Sequence, residues 1–187
     1  FCAAAICPRK NTLMLVQAFE KLLKVGVKAE LRLSGGSDKR YFNSVLHYIR
    51  EHHLENSVKL LGRVSYKVIQ EEMARTAVFV LVSLEENSPM GIEEAMAAGV
   101  PVVTSNRCGM PYMVRDGESG FLVDPNNPDD IATRLRELLN NDELRRSMGA
   151  KGREIALDRF HPAKVAARTR EVYLRAIQDF RHNMTTK

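Results

Sequence analysis

The sequence predicts an α/β fold: a doubly wound, mainly parallel, Rossmann-like sheet with helices on both faces and a C-terminal helical extension. Three observations predict it. Short apolar runs alternate with stretches whose apolar residues recur every three or four positions, the pattern of βαβ units. The run Ala77-Val-Phe-Val-Leu-Val-Ser83 is continuous rather than alternating, as a parallel strand covered on both faces requires. From Pro128 onward the pattern is helical throughout.

Each element follows from local signals. Phe1–Ile6 reads as the first strand. Thr12–Val25 is a helix with Leu15, Phe19, Leu22 and Leu23 on one face and Gly26 as its stop. Ala29–Leu33 is a strand running into Ser34-Gly35-Gly36, and Asp38–His52 is a helix with Phe42, Val45, Leu46 and Ile49 inward. Ser57–Leu61 is a short strand ending at Gly62. Ser65–Arg75 is a helix with Ser65 as its N-cap. Val78–Val82 is the central buried strand, and Gly91–Ala98 is a helix closed by Gly99, with Pro101 soon after. Val102–Thr104 and Gly120–Val123 complete the sheet, the latter after the turn Asp116-Gly117. Pro128–Asn140, Asp142–Asp158 and Pro162–Phe180 are helical. The last carries a stripe of Val165, Thr169, Val172, Tyr173, Ala176, Ile177 and Phe180. This reading divides the chain into a Rossmann-like core over 1–127 and C-terminal helices of the same domain over 128–187.

A chain of 187 residues buries about 70% of its unfolded surface and needs no staples. Its three cysteines, Cys2, Cys7 and Cys108, lack any Cys-x-x-Cys spacing and read as small buried hydrophobes in a reducing, cytoplasmic setting. No apolar run approaches the ~18 residues of a membrane span. The net charge of +5 is uneven: residues 134–187 hold 13 Lys/Arg against 7 Asp/Glu. A solvated helix face explains that excess most simply, and peripheral contact with the inner face of an anionic membrane is the sharper reading. Basic–aromatic interleaving is absent, which argues against nucleic acid as a partner. The five histidines show no metal-ligand spacing, so no metal site is assigned. Neither a Gly-x-Ser-x-Gly elbow nor a Gly-x-x-x-x-Gly-Lys-Ser/Thr loop occurs.

Ligands of an open α/β sheet bind outside the carboxyl ends of the strands. The loops there hold Pro8-Arg9-Lys10-Asn11, Ser34-Gly35-Gly36, Gly62-Arg63-Val64, Glu86–Gly91 and Asn106–Pro111. Lys10 can reach a pyrophosphate as a compact point charge; a plain surface lysine is the alternative. Gly35-Gly36 permits close approach of a ligand or simply a tight turn. Glu86 and Glu94 stand eight residues apart around a helix start. That start offers unpaired amides to a phosphate, while a carboxylate can accept from sugar hydroxyls. Glu94 is expected in the first helical turn, where Glu93 competes for the same role.

The segment Glu86-x7-Glu94, followed by Ala-Met-Ala-Ala-Gly-Val-Pro-Val-Val, resembles the Glu-x7-Glu motif of retaining GT-B glycosyltransferases, the group 1 family. The resemblance covers Phe1 to about Ile177 and extends to Asp116-Gly-Glu-Ser-Gly-Phe-Leu-Val-Asp124 and Pro8-Arg-Lys-Asn. It implies the C-terminal, donor-binding domain, with a nucleoside diphosphate sugar as donor substrate, no metal or other cofactor, and an N-terminal acceptor domain ahead of Phe1. It further implies a reaction that moves a hexosyl unit to a hydroxyl acceptor, with Lys10 on the diphosphate and Glu86 facing the transferred sugar. Gly62, Arg63 and Val64 would meet the base. Ser88, Pro89, Met90, Gly91 and Ile92 would line sugar and phosphate, all but Pro89 with backbone N–H groups, and Glu94 would bind the ribose hydroxyls. This sequence departs from the family pattern in three places. Ala4-Ala5 stands where Gly-Arg is usual, Asn11 replaces a Gly, and Cys108-Gly-Met-Pro-Tyr112 replaces Gly-Gly-x-Pro-Glu. A catalytically degenerate binding module and another sugar-nucleotide enzyme, such as a 2-epimerase, are the rival readings.

Overall fold

The computed structural model describes residues 1–185, with side chains through Arg181. The elements run β1 (Cys2–Ala3), a 3-10 turn (Pro8–Lys10), α1 (Thr12–Lys24), β2 (Leu31–Ser34), α2 (Lys39–Glu51), β3 (Val58–Gly62) and α3 (Tyr66–Ala74). They continue with β4 (Phe79–Leu81), α4 (Met90–Ala97), β5 (Val102–Ser105), a second 3-10 turn (Met110–Tyr112), β6 (Gly120–Val123), α5 (Pro128–Leu139), α6 (Asp142–Arg159) and α7 (Pro162–Thr185). The expected alternation is present, with ends shifted by a few residues. The first strand is the main correction: regular pairing spans only Cys2–Ala3, with an isolated bridge from Ile6 to Ser37.

All ladders are parallel. β1, β2 and β3 form one set, and β4, β5 and β6 form the other. Phe1 joins them: its nitrogen donates to Val78 O at 2.9 Å and its carbonyl accepts from Val80 N at 2.9 Å. The spatial order is therefore β3-β2-β1-β4-β5-β6. Connections from β1 lead outward on one side, and those from β4 lead outward on the other. The crevice between β1 and β4 is the point where the winding reverses, which is where such sheets bind ligands.

Burial explains the frame. Phe79, Leu81, Val102 and Val103 are essentially inaccessible at the sheet's centre, each such side chain contributing about 1.5–3 kcal/mol of transfer energy. α1 buries Leu15, Phe19 and Leu22 and packs on α5, which buries Ile131, Leu135 and Leu138. α6 lies hard against the end of α4 because Gly149 admits it: a Cβ there would sit 2.0 Å from Gly99 O. Local signals hold the ends. Ser65 caps α3 by accepting from Val68 N at 3.4 Å. Gly26 and Gly99 take the left-handed conformations that end α1 and α4, with φ of 85° and 76°. α7 differs: every described side chain from Pro162 to Arg181 is exposed.

Candidate functional site

The loop leaving β1 carries the site's cations. Pro8–Lys10 makes one 3-10 turn, and Asn11 closes it in the left-handed region at φ 56°. An Asn tolerates that conformation where most side chains do not. Its amide also donates to Pro125 O at 2.6 Å, fixing the start of α1. The turn aims Lys10 and Arg9 across the crevice at the loop after β4. Lys10 Nζ binds Glu86 Oε1, and Arg9 reaches the same oxygen at 2.5 Å. Lys10 and Glu86 are both largely covered, with side chains 14% and 12% exposed, whereas Arg9 is half open at 52%. The loops are also tied through the backbone, Leu84 N donating to Arg9 O at 2.8 Å.

Glycines let the surrounding loops close in. Gly35 has φ 145°, and a Cβ on it would lie 2.1 Å from Ala4 O, so the β2 exit presses on the β1 exit. A Cβ on Gly36 would lie 2.6 Å from Arg63 Nε, so the Arg63 guanidinium lies over Gly36. Gly35, Gly36 and Arg63 thus form one surface beside β1, with Val64 half-buried behind it. Gly91 packs close to Phe79 and the Ala3 carbonyl, bringing the start of α4 to the same exit.

At α4 the structure refines the expectation. The helix begins at Met90, with Pro89 as cap residue, so Glu93 is the acid of the first turn and Glu94 lies in the second. The expected first-turn placement of Glu94 is therefore corrected. Ser88 Oγ donates to Glu93 Oε1 at 2.8 Å, which engages Glu93 locally. The Ile92 amide donates to Pro89 O at 2.9 Å and is not available to a ligand. The amides of Met90 and Gly91 lack intrahelical acceptors, as the first turn of any helix does. Met90 is exposed, and Pro89 is buried.

Glu94 is half-buried and faces α3 rather than solvent. It lines a cavity of about 510 Å³ with Tyr66, Ile69, Gln70, Met73 and Ala97. Burial raises its carboxyl above the ordinary range, the Tyr66 hydroxyl opposes that shift, and Glu93 adds to it. Lys10 does not line this cavity. The structure thus brings Lys10 to Glu86, and Glu94 to Tyr66, as two separate groups.

Sequence reasoning missed several residues here. Arg9 shares the Glu86 oxygen, Tyr66 meets Glu94, and Gly109 supports the Glu86 loop by donating its N–H to Glu86 O at 2.8 Å. Only the adjacency of Arg9 to Lys10 was visible as a signal. Among the cysteines, only Cys2 is buried. Cys7 is half-buried, and Cys108 is exposed at φ 51°, which corrects the uniform expectation. His52 pairs with Glu20 away from this crevice, and His182 lies outside the described side chains. Among the described residues no trio of His, Cys, Asp or Glu is placed to hold a metal, and no helix is long and apolar enough to cross a membrane.

Comparison with known proteins agrees with this architecture. N-acetyl-alpha-D-glucosaminyl L-malate synthase of Bacillus anthracis is 30% identical over 165 residues, covering 88% of this chain and 42% of that protein. Anabaena HepE, crystallised with UDP and glucose, superposes with a TM-score of 0.84 at 23% identity, over 92% of this chain and 48% of HepE. The C-terminal domain of a group 1 glycosyl transferase from Francisella tularensis superposes with a TM-score of 0.79 at 20% identity, over 86% and 85% of the two chains. The chain spans less than half the length of the Bacillus relative. The profile of the family described as "Glycosyl transferases group 1" matches residues 1–155, and the chain belongs to that family.

Proposed function

We propose that this chain is the nucleotide-sugar-binding half of a retaining glycosyltransferase, which transfers a hexosyl unit from a nucleoside diphosphate sugar to a hydroxyl acceptor. The observation that carries the reading is the meeting of Lys10 and Glu86 at the reversal point between β1 and β4. A cation with an acid beside it at that place suits a departing diphosphate joined to a sugar. Bond breaking moves negative charge onto the leaving phosphate oxygen. Lys10 and the amides of Met90 and Gly91 stabilise that charge in a site already arranged for it. Glu86 then faces the sugar as positive character grows at its anomeric carbon.

The remaining groups divide the donor among them. Gly35 and Gly36 let the β2 exit close on Ala4 and Arg63 beside the phosphates, Arg63 and Val64 flank the base, and Glu94 accepts from the ribose hydroxyls. The donor's charge is met by side chains and amides, with no resident metal in this reading. The solved complex of HepE with UDP and glucose, on the same fold, supports a nucleotide sugar as ligand. The other substrate is held by an N-terminal acceptor domain.

Calorimetry with UDP, GDP and ADP tests this reading. The wild-type chain is expected to bind one of them, and Glu94→Gln to weaken that binding about tenfold with unchanged circular dichroism. A variant that binds every nucleotide as the wild type does removes Glu94 from the site. A wild-type chain that binds none of the three overturns the proposal.

A further inference from the structure

We propose that Arg9 is the second cation for the donor's diphosphate, and that it leaves Glu86 to take it. This rests on the donor-binding reading above. Its basis is the position of Arg9 and the charge count around it. A diphosphate ester carries about two negative charges near neutral pH. The exit of β1 offers it none in return, because Ala3, Ala4, Ala5, Ile6 and Cys7 are all uncharged. Lys10 is already held by Glu86, so together they are neutral. Arg9 makes the Lys10–Glu86 pair net positive, while the other cation beside the β1 exit, Arg63, lies over Gly36 on the β2 side.

The geometry fits such a transfer. Arg9 and Lys10 converge on a single carboxylate oxygen, Glu86 Oε1, as two cations converge on a shared phosphate oxygen. The carboxylate here stands where an anionic ligand group would sit. The backbone of Arg9 stays anchored through Leu84 N, and its guanidinium also donates to Glu85 O at 3.0 Å. The head group is nevertheless half open, while Lys10 is covered. A guanidinium presents a planar fork to two phosphate oxygens at once, which a lysine cannot do. Arg9 can therefore swing from carboxylate to phosphate without moving its loop. Its departure leaves Glu86 paired to Lys10 alone and freer to turn toward the sugar.

The test is calorimetry on wild type, Arg9→Gln and Arg9→Lys, with a nucleoside diphosphate, its nucleoside monophosphate, and inorganic pyrophosphate. Arg9→Gln is expected to weaken diphosphate and pyrophosphate binding at least about tenfold, the loss of one charge-assisted contact. It should weaken the monophosphate much less, and Arg9→Lys should fall between. A merely structural strap between loops would lower the melting temperature and weaken all three ligands alike. That result, or unchanged diphosphate and pyrophosphate affinity in Arg9→Gln, overturns the proposal. The readouts separate it from the reading it rests on. Arg9-dependent pyrophosphate binding with no nucleotide binding sustains the role of Arg9 and defeats the nucleotide-sugar assignment, whereas binding of none of the probes by the wild type defeats both.

Discussion

At Gly109 the fifth loop passes so close to Asn87 that no side chain fits between them. A Cβ there would lie 1.6 Å from Asn87 O, although φ is an unstrained −81°. The same residue donates its N–H to Glu86 O. Gly109→Ala must therefore displace the Glu86–Pro89 loop and the carboxylate it carries. We expect nucleoside diphosphate affinity to fall at least about tenfold in calorimetry. Gly117→Ala is the control: its φ is 75°, and nothing lies within 4 Å. It should cost about 1 kcal/mol in urea unfolding and leave nucleotide affinity unchanged. Equal affinities in the two variants would show that the loop contact does not set the site. The fifth loop's family departure at Tyr112 leaves that side chain 76% exposed, while its carbonyl accepts from Arg159 at 2.5 Å.

Between elements, charged ties add to the apolar core. Glu20 of α1 is buried. It accepts from the Tyr48 hydroxyl of α2 at 2.6 Å, lies 2.8 Å from His52 Nδ1, and pairs with Lys24 at 2.6 Å. Burial alone would raise its carboxyl; hydrogen bonds from Lys24, Tyr48 and His52 outweigh it and pull the value from 4.5 down to about 2. The sign follows. A carboxyl held lower in the folded state adds stability above its unfolded value, and that part is lost as pH falls from 4.5 toward 2. Glu20→Gln is expected to lower the urea midpoint at pH 7 by an amount equivalent to about 2 kcal/mol, with the gap to wild type closing near pH 2. A constant gap across that range would mean the charge is not what joins α1 to α2. The tie across helices was not legible in the sequence, where Glu20 lies on one helix and Tyr48 and His52 on another. The periodicity of Leu15, Phe19 and Leu22 was legible because a helix buries one face whatever it packs against. The capping role of Ser65 and the stops at Gly26 and Gly99 were local chemistry, so they too could be read. The convergence of Arg9 on Glu86 spans 77 positions and depends on strand order. The placement of Glu94 just past the first turn depends on α4 starting one residue earlier than expected, and Pro89 as cap residue gives no side-chain signal for it.

Over the whole molecule, α7 stands apart from the packed body. α5 and α6 bury Ile131, Leu135, Leu138, Met148 and Ile155 against the sheet layers, so the core extends well past β6. α7 then leaves 62% of Val172, 66% of Tyr173 and 66% of Phe180 exposed. Near its start the described residues tie it to α6 through polar groups: Lys164 pairs with Asp158 at 2.8 Å, and Arg168 donates to the carbonyls of Asp158 and Arg159. Exposed pairs of this kind contribute about 0–1 kcal/mol, so the core does not depend on the helix. A chain ending at His161 is therefore expected to melt within about 4 °C of the full 187 residues. It should also bind less of a hydrophobic dye and stay monomeric at concentrations where the full chain self-associates, because the apolar stripe is gone. A fall of ten degrees or more would show that α7 packs on the body in solution. Unchanged dye binding would show that its stripe is already covered there.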